Sequence, residues 1–415
     1  MKKIFKSTLI FAATCAMTMG MASCSDDDDN NGGGSTTVSE NETMMKAIAD
    51  QFVDATVKDT YKGLADDAEK LATAVSEMRE SAKTHAVTQA QVDNACTLFR
   101  SARANYEKSE AFLLGAAAKY KVDPHIDSWP LDVNAVVTTV TNTALLARLD
   151  SDDGNVVANS ELGNSNLGFH ALEFILFRAG QNRSIAELNG NDSYADLTAI
   201  TGEQELIYAK AVAGDLRDNC YIMEIGWNED SNDAHKAWLE GLEYDWTTTG
   251  NISFGEDFKT AGVAGSSYRT LKSALAAILI GDTGARGICD EVGDTKIGKP
   301  HNGTSEEDIN YIESPYSYNS ITDFCDNIIS IEDVWFGGME GNRKDDASFH
   351  GYFAKYHPAE GTAVETAITN AKAAINAMPF PFVLNRTASE CQTAIDACHV
   401  LSTALDAANT AMQND

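Results

Sequence analysis

The chain has 415 residues, of which 43% are hydrophobic and 22% are charged, and its formal net charge at pH 7 is −31. This length suffices for two or three domains. The negative charge argues against a nucleic-acid partner, because binding to phosphates requires basic side chains, and it favours the attraction of cations instead. The chain has only 7 prolines, and its Ala-rich segments favour helices over sheets.

The first 23 residues are predicted to be a lipoprotein signal peptide. Lysines precede an apolar run that ends at Met21, and this run is too short for a stable membrane span. The sequence from Met21 to Cys24, MASC, resembles a lipobox, although Met stands where Leu is usual. Cys24 is therefore predicted to become the lipidated N-terminus and to tether a soluble body to a membrane.

Residues 24–39 are acidic and rich in glycine, and they include the run SDDDDNNGGGS. Such a segment cannot bury a core, so it is predicted to be a flexible tether. The acidic run also resembles the export signal of surface lipoproteins in Bacteroidetes-like bacteria. That resemblance implies an outer-membrane lipoprotein, at the cell surface rather than on the periplasmic face.

Helical periodicity dominates from residue 40 onward. The predicted helices are 42–80 with a break at Gly63, 88–120, 132–148, 166–179, 201–224, 232–244, 265–290, 320–336, 361–378 and 388–413. Loops are predicted at 181–200, 250–265 and 293–315. Long helices joined by short polar loops predict an all-α fold of antiparallel bundles. The two halves have a similar length and style, which predicts two bundle domains side by side, 40–198 and 199–415.

The segment GFHALE, from Gly168 to Glu173, places His170 and Glu173 three residues apart on an almost wholly apolar helix. Residues at this spacing point the same way. Buried ionisable groups are costly unless they are paired or bound. The pair is therefore either a satisfied core pair or part of a site for a metal or a polar ligand. A glycine at 168 would allow another helix or a ligand to approach closely.

Four segments in chain order resemble signatures of the imelysin-like family, which is classified as peptidase family M75. They are EAFLLG at 110–115, DSWP at 127–130, the GxHxxE motif at 168–173 and ESPYSYNSITDFCDNIISIEDVWFG at 313–337. The resemblance implies two helical-bundle domains with a cleft between them near the GxHxxE helix. It also implies a link to iron-regulated uptake.

A catalytic zinc site usually has three protein ligands and a water, and the HExxH pattern is absent from this sequence. A third ligand must therefore come from outside the motif. Glu110 is the first candidate, because the family's first-domain helix carries a polar residue there. Its alternative is a solvated helix face shared with Arg103 and Glu107. Asp127 is the second candidate, with turn capping before Trp129 as its alternative.

The segment from 313 to 337 is predicted to form the other wall of the cleft. Ser314 followed by Pro315 predicts a helix start. Asp323, Asn327 and Ser330 share one face of that helix, which is either solvated or turned toward the cleft. The residues predicted to line the cleft beside His170 and Glu173 are Gly168, Trp129, Glu291, Lys296, Glu313, Ser314, Ser317, Asp323 and Asn327. Lys296, in a predicted Gly-rich loop, suits a carboxylate partner better than a metal.

The sequence predicts a lipid-anchored envelope protein that binds a divalent metal or iron, or a small-molecule or peptide ligand, and the resemblance to the imelysin-like family implies a connection with iron uptake. One alternative is a metallopeptidase that uses the same residues. Another is a non-catalytic surface interaction module. The incomplete zinc motif leaves the enzymatic alternative open.

Overall fold

The computed structural model describes residues 39–188 and 202–415. The predicted signal peptide, Cys24 and nearly all of the predicted tether lie outside these residues, as does the predicted domain boundary between 198 and 199. Across the described ranges, no helix combines the length and the apolar character that crossing a membrane requires.

The described chain is all-α, as predicted. The helices of the first half are α1 Glu40–Gln51, α2 Lys58–Ala82, α3 Gln89–Glu107, α4 Ala116–Tyr120, α5 Val122–Ile126, α6 Val133–Thr141, α7 Thr143–Leu149, α8 Gly154–Glu161 and α9 Gly168–Leu176. Those of the second half are α10 Gly202–Trp227, α11 Asp233–Gly241, α12 Phe254–Lys259, α13 Leu271–Ile280, α14 Ala285–Asp290, α15 Gly298–Asn302, α16 Glu306–Ile309, α17 Ser320–Phe336, α18 Phe349–Tyr356, α19 Pro358–Asn376, α20 Phe382–Asn385 and α21 Ser389–Gln413.

Shorter elements join several of these helices. They are π-helices at Phe52–Val57 and Glu291–Ile297, 3₁₀ turns at Asn164–Asn166 and Asp345–Ala347, and the strands β1 Phe177–Arg178 and β2 Gln181–Asn182. The two strands pair antiparallel directly after α9. This small hairpin closes the motif helix at its C-terminal end.

Two predicted helices end differently in the structure. α2 continues through Gly63, so the predicted break there is wrong, and the change of helix type falls at Phe52–Val57 instead. The predicted helix 88–120 ends at Glu107, and a turn containing Glu110 separates it from α4. Glu110 therefore leaves the helix face on which the sequence placed it.

The predicted loop 293–315 is largely helical. Glu291 and Lys296 lie on the π-helix Glu291–Ile297 rather than in a Gly-rich loop, and α15 and α16 follow it. Helix α17 begins at Ser320, so Ser314 does not cap a helix start. Ser314 instead adopts a left-handed backbone with φ of 49°, which turns the chain before the helix.

The helices pack across the midpoint of the chain. α10 lies along α2 and also contacts α8 and α9, which belong to the first half. α21 packs on α19, α14 and the π-helix Glu291–Ile297, whereas α3 contacts α2, α9 and α17. The described residues from 39 to 188 and from 202 to 415 belong to one compact unit, and the predicted two-domain arrangement is not confirmed.

Aromatic packing positions α3 against the motif helix α9. Thr88 caps α3 in a capping box with Gln91, which fixes where this helix begins. The Phe169 ring lies 5.9 Å from the Phe99 ring and 5.3 Å from the Tyr106 ring. Arg103, between these two positions on α3, consequently lies with its guanidinium carbon 5.2 Å from the Phe169 ring centroid.

Candidate functional site

Most of the predicted site residues meet in one group of charged side chains, which we call the buried ion cluster. Its members are Arg103, Glu107, Glu110, Asp127, His170, Glu173, Lys296, Glu313 and Asp323. Each of them is at most 4% exposed. The cluster therefore lies in the interior of the protein rather than on the wall of an open cleft.

Arg103 is the centre of the cluster. Its guanidinium pairs with Glu107 and Asp127 and lies 2.7 Å from Glu313 Oε1. Its Nε is also 3.6 Å from Asp323 Oδ2. The planar guanidinium offers five donors in a fixed fork, so one side chain can join carboxylates from four separate segments. The alternative of a solvated helix face is wrong at Arg103 and Glu107, because both are fully buried.

Lys296 is the second fixed cation. Its Nζ lies 3.0 Å from Glu110 Oε2, 3.2 Å from Glu313 Oε1 and 3.6 Å from Glu107 Oε2. The side chain is fully buried. Glu110 and Lys296 are therefore brought together as an ion pair, in agreement with the expectation that Lys296 suits a carboxylate partner.

The two nitrogens of the His170 ring face different carboxylates. Nδ1 lies 3.3 Å from Glu173 Oε2, within α9. Nε2 lies 3.3 Å from Asp127 Oδ1, on the opposite side of the ring. Nε2 has no hydrogen-bond partner of acceptable geometry among the described residues. The imidazole thus has one nitrogen held by the motif and the other directed into the cluster.

Glu173 holds the segment that precedes α17. Its Oε1 accepts hydrogen bonds from the backbone N–H of Tyr316 at 2.9 Å, from the N–H of Ser317 at 2.8 Å and from the Ser317 hydroxyl at 2.7 Å. These three donors satisfy one carboxylate oxygen, and the other faces His170. Glu173 therefore contacts the Nδ1 side of the imidazole, and it fixes both the orientation of the ring and the neighbouring loop.

The polar face of α17 closes the cluster. Asp323 accepts from the Ser314 hydroxyl at 2.5 Å and from the Asn319 amide. Asn327 Nδ2 donates to Glu107 Oε2 at 2.5 Å. Because Asp323, Asn327 and Ser330 are each fully buried, the alternative of a solvated face on this helix is wrong.

Gly168 allows the motif helix to start against α5. Its φ is +69°, and a Cβ placed there would overlap the carbonyl oxygen of Ile126. Only glycine adopts this conformation at little cost. Ile126 directly precedes Asp127, so this close approach brings His170 and Asp127 together.

Two predicted cleft residues lie at the edge of the cluster and are half-buried. The Trp129 ring lies 6.2 Å from the His170 ring and 5.5 Å from the ring of Tyr311. Burial raises the pKa of Glu291, although Lys296 partly offsets this rise. These residues form the most exposed side of the charged group.

The cluster also contains unpartnered ligand atoms. Among the described residues, His170 Nε2, Asp127 Oδ2 and Glu313 Oε2 are buried and have no hydrogen-bond partner. One ligand atom from each of these three residues lies within 4.8 Å of the others, and the same holds for Glu107, Glu110 and Asp127. Buried polar groups are normally satisfied, so the first set is suited to hold a cation through one nitrogen and two oxygens.

The protonation of the cluster follows from its burial and its charges. Burial alone would lower the pKa of His170, but contacts with Asp127 and Glu173 outweigh it and raise this pKa to about 9. Burial raises the pKa of Asp323 to about 7 against the opposing effect of Arg103. Burial would also raise the pKa of Asp127, yet the Arg103 guanidinium holds it below its ordinary value.

Arg103 and Glu107 are the functional candidates that the sequence did not single out. A signal was present, because Arg103 follows Cys96 by seven residues and Phe99 by four, and these spacings place it on the apolar face of α3. A charged residue in register with two buried positions indicates an internal ion pair rather than a solvated stripe.

Comparisons with known proteins agree with this architecture. A family model described as imelysin, peptidase family M75, matches residues 57–409. Iron-regulated protein A of Synechococcus elongatus is 24% identical over 341 residues, which cover 80% of this chain and 76% of that protein.

Two solved structures have a similar fold. One is described as an iron-regulated protein A precursor from Parabacteroides distasonis, with a TM-score of 0.72 and 26% identity over 92% of this chain and 97% of that chain. The other is an imelysin-like protein from Psychrobacter arcticum, with a TM-score of 0.55 and 12% identity over 87% of this chain and 93% of that chain. At 12% identity, the second likeness concerns the fold alone.

Proposed function

Because this chain belongs to the imelysin family, and because Asp127, His170 and Glu313 each have a buried ligand atom without a hydrogen-bond partner among the described residues, we propose that it binds a divalent transition-metal ion at these three residues. Imidazole and carboxylate ligands suit ions such as Fe²⁺, Zn²⁺ and Mn²⁺. The observation that carries this proposal is that one ligand atom from each of these three buried residues lies within 4.8 Å of the others, and that each residue has a buried polar atom without a hydrogen-bond partner among the described residues.

The orientation of His170 supports metal binding through Nε2. A metal-ligating histidine usually donates its other ring N–H to a carboxylate or a carbonyl, which fixes the tautomer. Here His170 Nδ1 lies 3.3 Å from Glu173 Oε2, which can accept its hydrogen bond. In this proposal Glu173 orients the ligand instead of binding the ion, and binding of the metal displaces a proton from Nε2.

Iron is our candidate for the physiological ion. Two of the similar proteins carry the description iron-regulated protein A, and ferrous iron accepts the nitrogen and oxygen ligands found here. We propose that the protein serves iron uptake from the cell envelope. Lipidation at Cys24, an outer-membrane location and exposure at the cell surface complete this proposal, on the basis of the lipobox-like sequence and the acidic tether.

Burial favours binding over peptide hydrolysis. A metallopeptidase requires a coordination position that water and a peptide bond can reach. Asp127, His170 and Glu313 are 3%, 2% and 0% exposed. Arg103 and Lys296 also contact the carboxylates on the inner side of the cluster, so a polypeptide substrate finds no direct approach.

Metal content tests the proposal directly. The full-length protein is dialysed against Fe²⁺ without oxygen, or against Zn²⁺, and the bound metal is measured by elemental analysis. We expect one ion in the wild type. The His170→Ala variant should bind more weakly by at least the roughly 10–100-fold that is typical for loss of an outer-shell group.

His125→Ala is the matched control, because His125 also faces a buried carboxylate, Asp215, but lies outside the cluster. It should bind the metal as the wild type does. Equal metal content in the wild type and in His170→Ala would exclude the proposed ligand.

The peptidase alternative needs a separate test. The metal-loaded protein is incubated with a denatured protein substrate, with and without chelator. We expect no cleavage in either case. Cleavage that the chelator abolishes would instead establish a peptidase.

A further inference from the structure

Lys296 contacts two members of a second group of buried carboxylates. Glu107, Glu110 and Asp127 each offer a ligand atom within 4.8 Å of the other two. The Lys296 ammonium contacts two of these carboxylates, Glu110 at 3.0 Å and Glu107 at 3.6 Å. A positive charge of the protein itself is thus bound by part of a ligand set that resembles a metal site.

The two cation positions are adjacent and share ligands. Asp127 belongs to both sets of possible ligands. Glu313 is a member of the first set, and its Oε1 also contacts Lys296 at 3.2 Å. The unpartnered oxygens of Asp127 and Glu313 are buried, so both carboxylates retain capacity for a further positive charge.

We propose that Lys296 is a built-in cation that fills the second position, so that the protein holds a single metal ion and becomes a two-metal protein when the ammonium is removed. This inference rests on the proposed metal binding at Asp127, His170 and Glu313. An ammonium is a compact point charge with three donors, and here it has three carboxylate neighbours. It therefore satisfies carboxylates that would otherwise require a second ion.

The presence of Lys296 in the second position determines which class of chemistry the site can perform. Hydrolytic centres with two metals hold the ions about 3.5–4 Å apart and use both to stabilise the attacking and leaving oxygens. Adjacent sites with shared carboxylates would provide such a pair. A lysine in one of them prevents it, so Lys296 determines that the cluster binds one ion and does not form a binuclear hydrolase centre.

Metal stoichiometry tests this assignment. The full-length wild type, Lys296→Met and Lys296→Arg are dialysed to saturation against Zn²⁺, and the bound metal is measured by elemental analysis. We expect one ion in the wild type, two in Lys296→Met and one in Lys296→Arg, because arginine keeps the positive charge.

This experiment distinguishes a failure of the role assigned to Lys296 from a failure of the proposed metal site. One ion in both the wild type and Lys296→Met would overturn the role of Lys296 and leave the proposed function standing. Two ions in Lys296→Arg would also overturn it. A wild type that binds none would overturn the proposed function, and this inference with it.

A second variant controls for misfolding, since Lys296→Met leaves buried carboxylates without a counter-ion. The double variant Glu110→Gln with Lys296→Met removes one negative and one positive charge, so we expect it to fold and to bind one ion. If Lys296→Met alone is unfolded without metal, Zn²⁺ should restore its helical circular dichroism with two ions bound. Failure of Zn²⁺ to restore it would contradict the proposal.

Discussion

Two His–Asp pairs involve the short helix α5 and the residue that follows it, and they differ in how completely their polar atoms are hydrogen-bonded. His125 Nε2 lies 2.8 Å from Asp215 Oδ2, and Asp215 Oδ1 accepts from Asn159 at 2.8 Å and from Asn219 at 3.2 Å. Asp127 follows His125 by two positions in the chain, and it meets His170 in a cluster with atoms that have no hydrogen-bond partner among the described residues. A histidine beside a buried aspartate therefore does not by itself indicate a binding site.

The difference lies in the balance between donors and carboxylates. The Asp215 network surrounds one carboxylate with neutral amides and an imidazole, which is sufficient for both of its oxygens. The ion cluster gathers six carboxylates around Arg103, Lys296 and His170. The first arrangement satisfies its carboxylate with groups of the protein, whereas the second leaves buried atoms of Asp127, His170 and Glu313 without a hydrogen-bond partner among the described residues.

Removal of the central cation should produce the largest effect. Arg103→Met leaves several buried carboxylates without their partner, which typically costs about 3–5 kcal/mol. Asn159→Ala removes one of several donors to Asp215 and should cost about 0.5–1.5 kcal/mol. Urea unfolding at pH 7 measures both free energies, and equal losses would show that the two regions are energetically alike.

Disturbing the shared helix α5 should have the next largest effect. In Gly168→Ala the new Cβ meets the Ile126 carbonyl at a φ of +69°, so we expect a loss of about 1–3 kcal/mol. Gly163→Ala is the control, because a Cβ there has no neighbour within 4 Å. Thermal unfolding compares the two variants. A tolerated Gly168→Ala would mean that α9 and α5 can separate without cost.

The pH dependence of stability should distinguish the regions further. The pKa of Asp323 is raised to about 7 by burial, so its contribution is complete below the unfolded value of about 4 and is lost as the pH rises through 7. The wild type should lose roughly 1–3 kcal/mol between pH 5 and pH 8 from this group. Urea unfolding of Asp323→Asn should show a flatter profile.

Asn219→Ala, in the Asp215 network, introduces no change of ionisable group and serves as the control for this experiment. It should keep the wild-type slope between pH 5 and pH 8. An unchanged slope in Asp323→Asn would contradict the assignment of the titration to this carboxyl.

The smallest effects should come from two tryptophans, one at the edge of the ion cluster and one that contacts Asp218, three residues after Asp215 on α10. Trp129 Nε1 is buried without a partner among the described residues, so Trp129→Phe should change stability by less than about 1 kcal/mol. Trp238 Nε1 donates to Asp218 at 2.9 Å, and Trp238→Phe should lose about 0.5–1.5 kcal/mol. Thermal unfolding of both variants tests the order, and a larger loss in Trp129→Phe would reverse the comparison.

The sequence predicted the helical class and much of the membership of the site, for reasons visible in particular residues. The apolar surroundings of His170 and Glu173 indicated burial, and Gly168 indicated a close approach. Arg103 was missed, because a lone arginine on a helix stripe gains its meaning from Glu313, which lies 210 residues away along the chain. Local periodicity carries no information about such a pairing.

The helix boundaries were predicted less well where the backbone departs from the regular α form. The π-helix Glu291–Ile297 contains two residues typical of loops, Gly293 and Asp294, and was predicted to be a loop. Gly293 fits closely against Cys398 on α21, because a Cβ added at Gly293 would lie only 3.1 Å from the Cys398 Cβ. This contact comes from the packing of α21, which the local sequence does not show.

The bond between Arg103 and Glu313 also affects the order in which the protein can form. A chain that emerges from its N-terminus presents Arg103 long before Glu313, and at about 5–20 residues per second their separation of 210 positions represents on the order of 10–40 s. Of the four carboxylates that contact the guanidinium in the folded protein, those of Glu107 and Asp127 precede residue 313 and those of Glu313 and Asp323 do not. The buried ion cluster is therefore completed only in the nearly full-length chain, and fragments that end before residue 313 lack the Glu313 carboxylate.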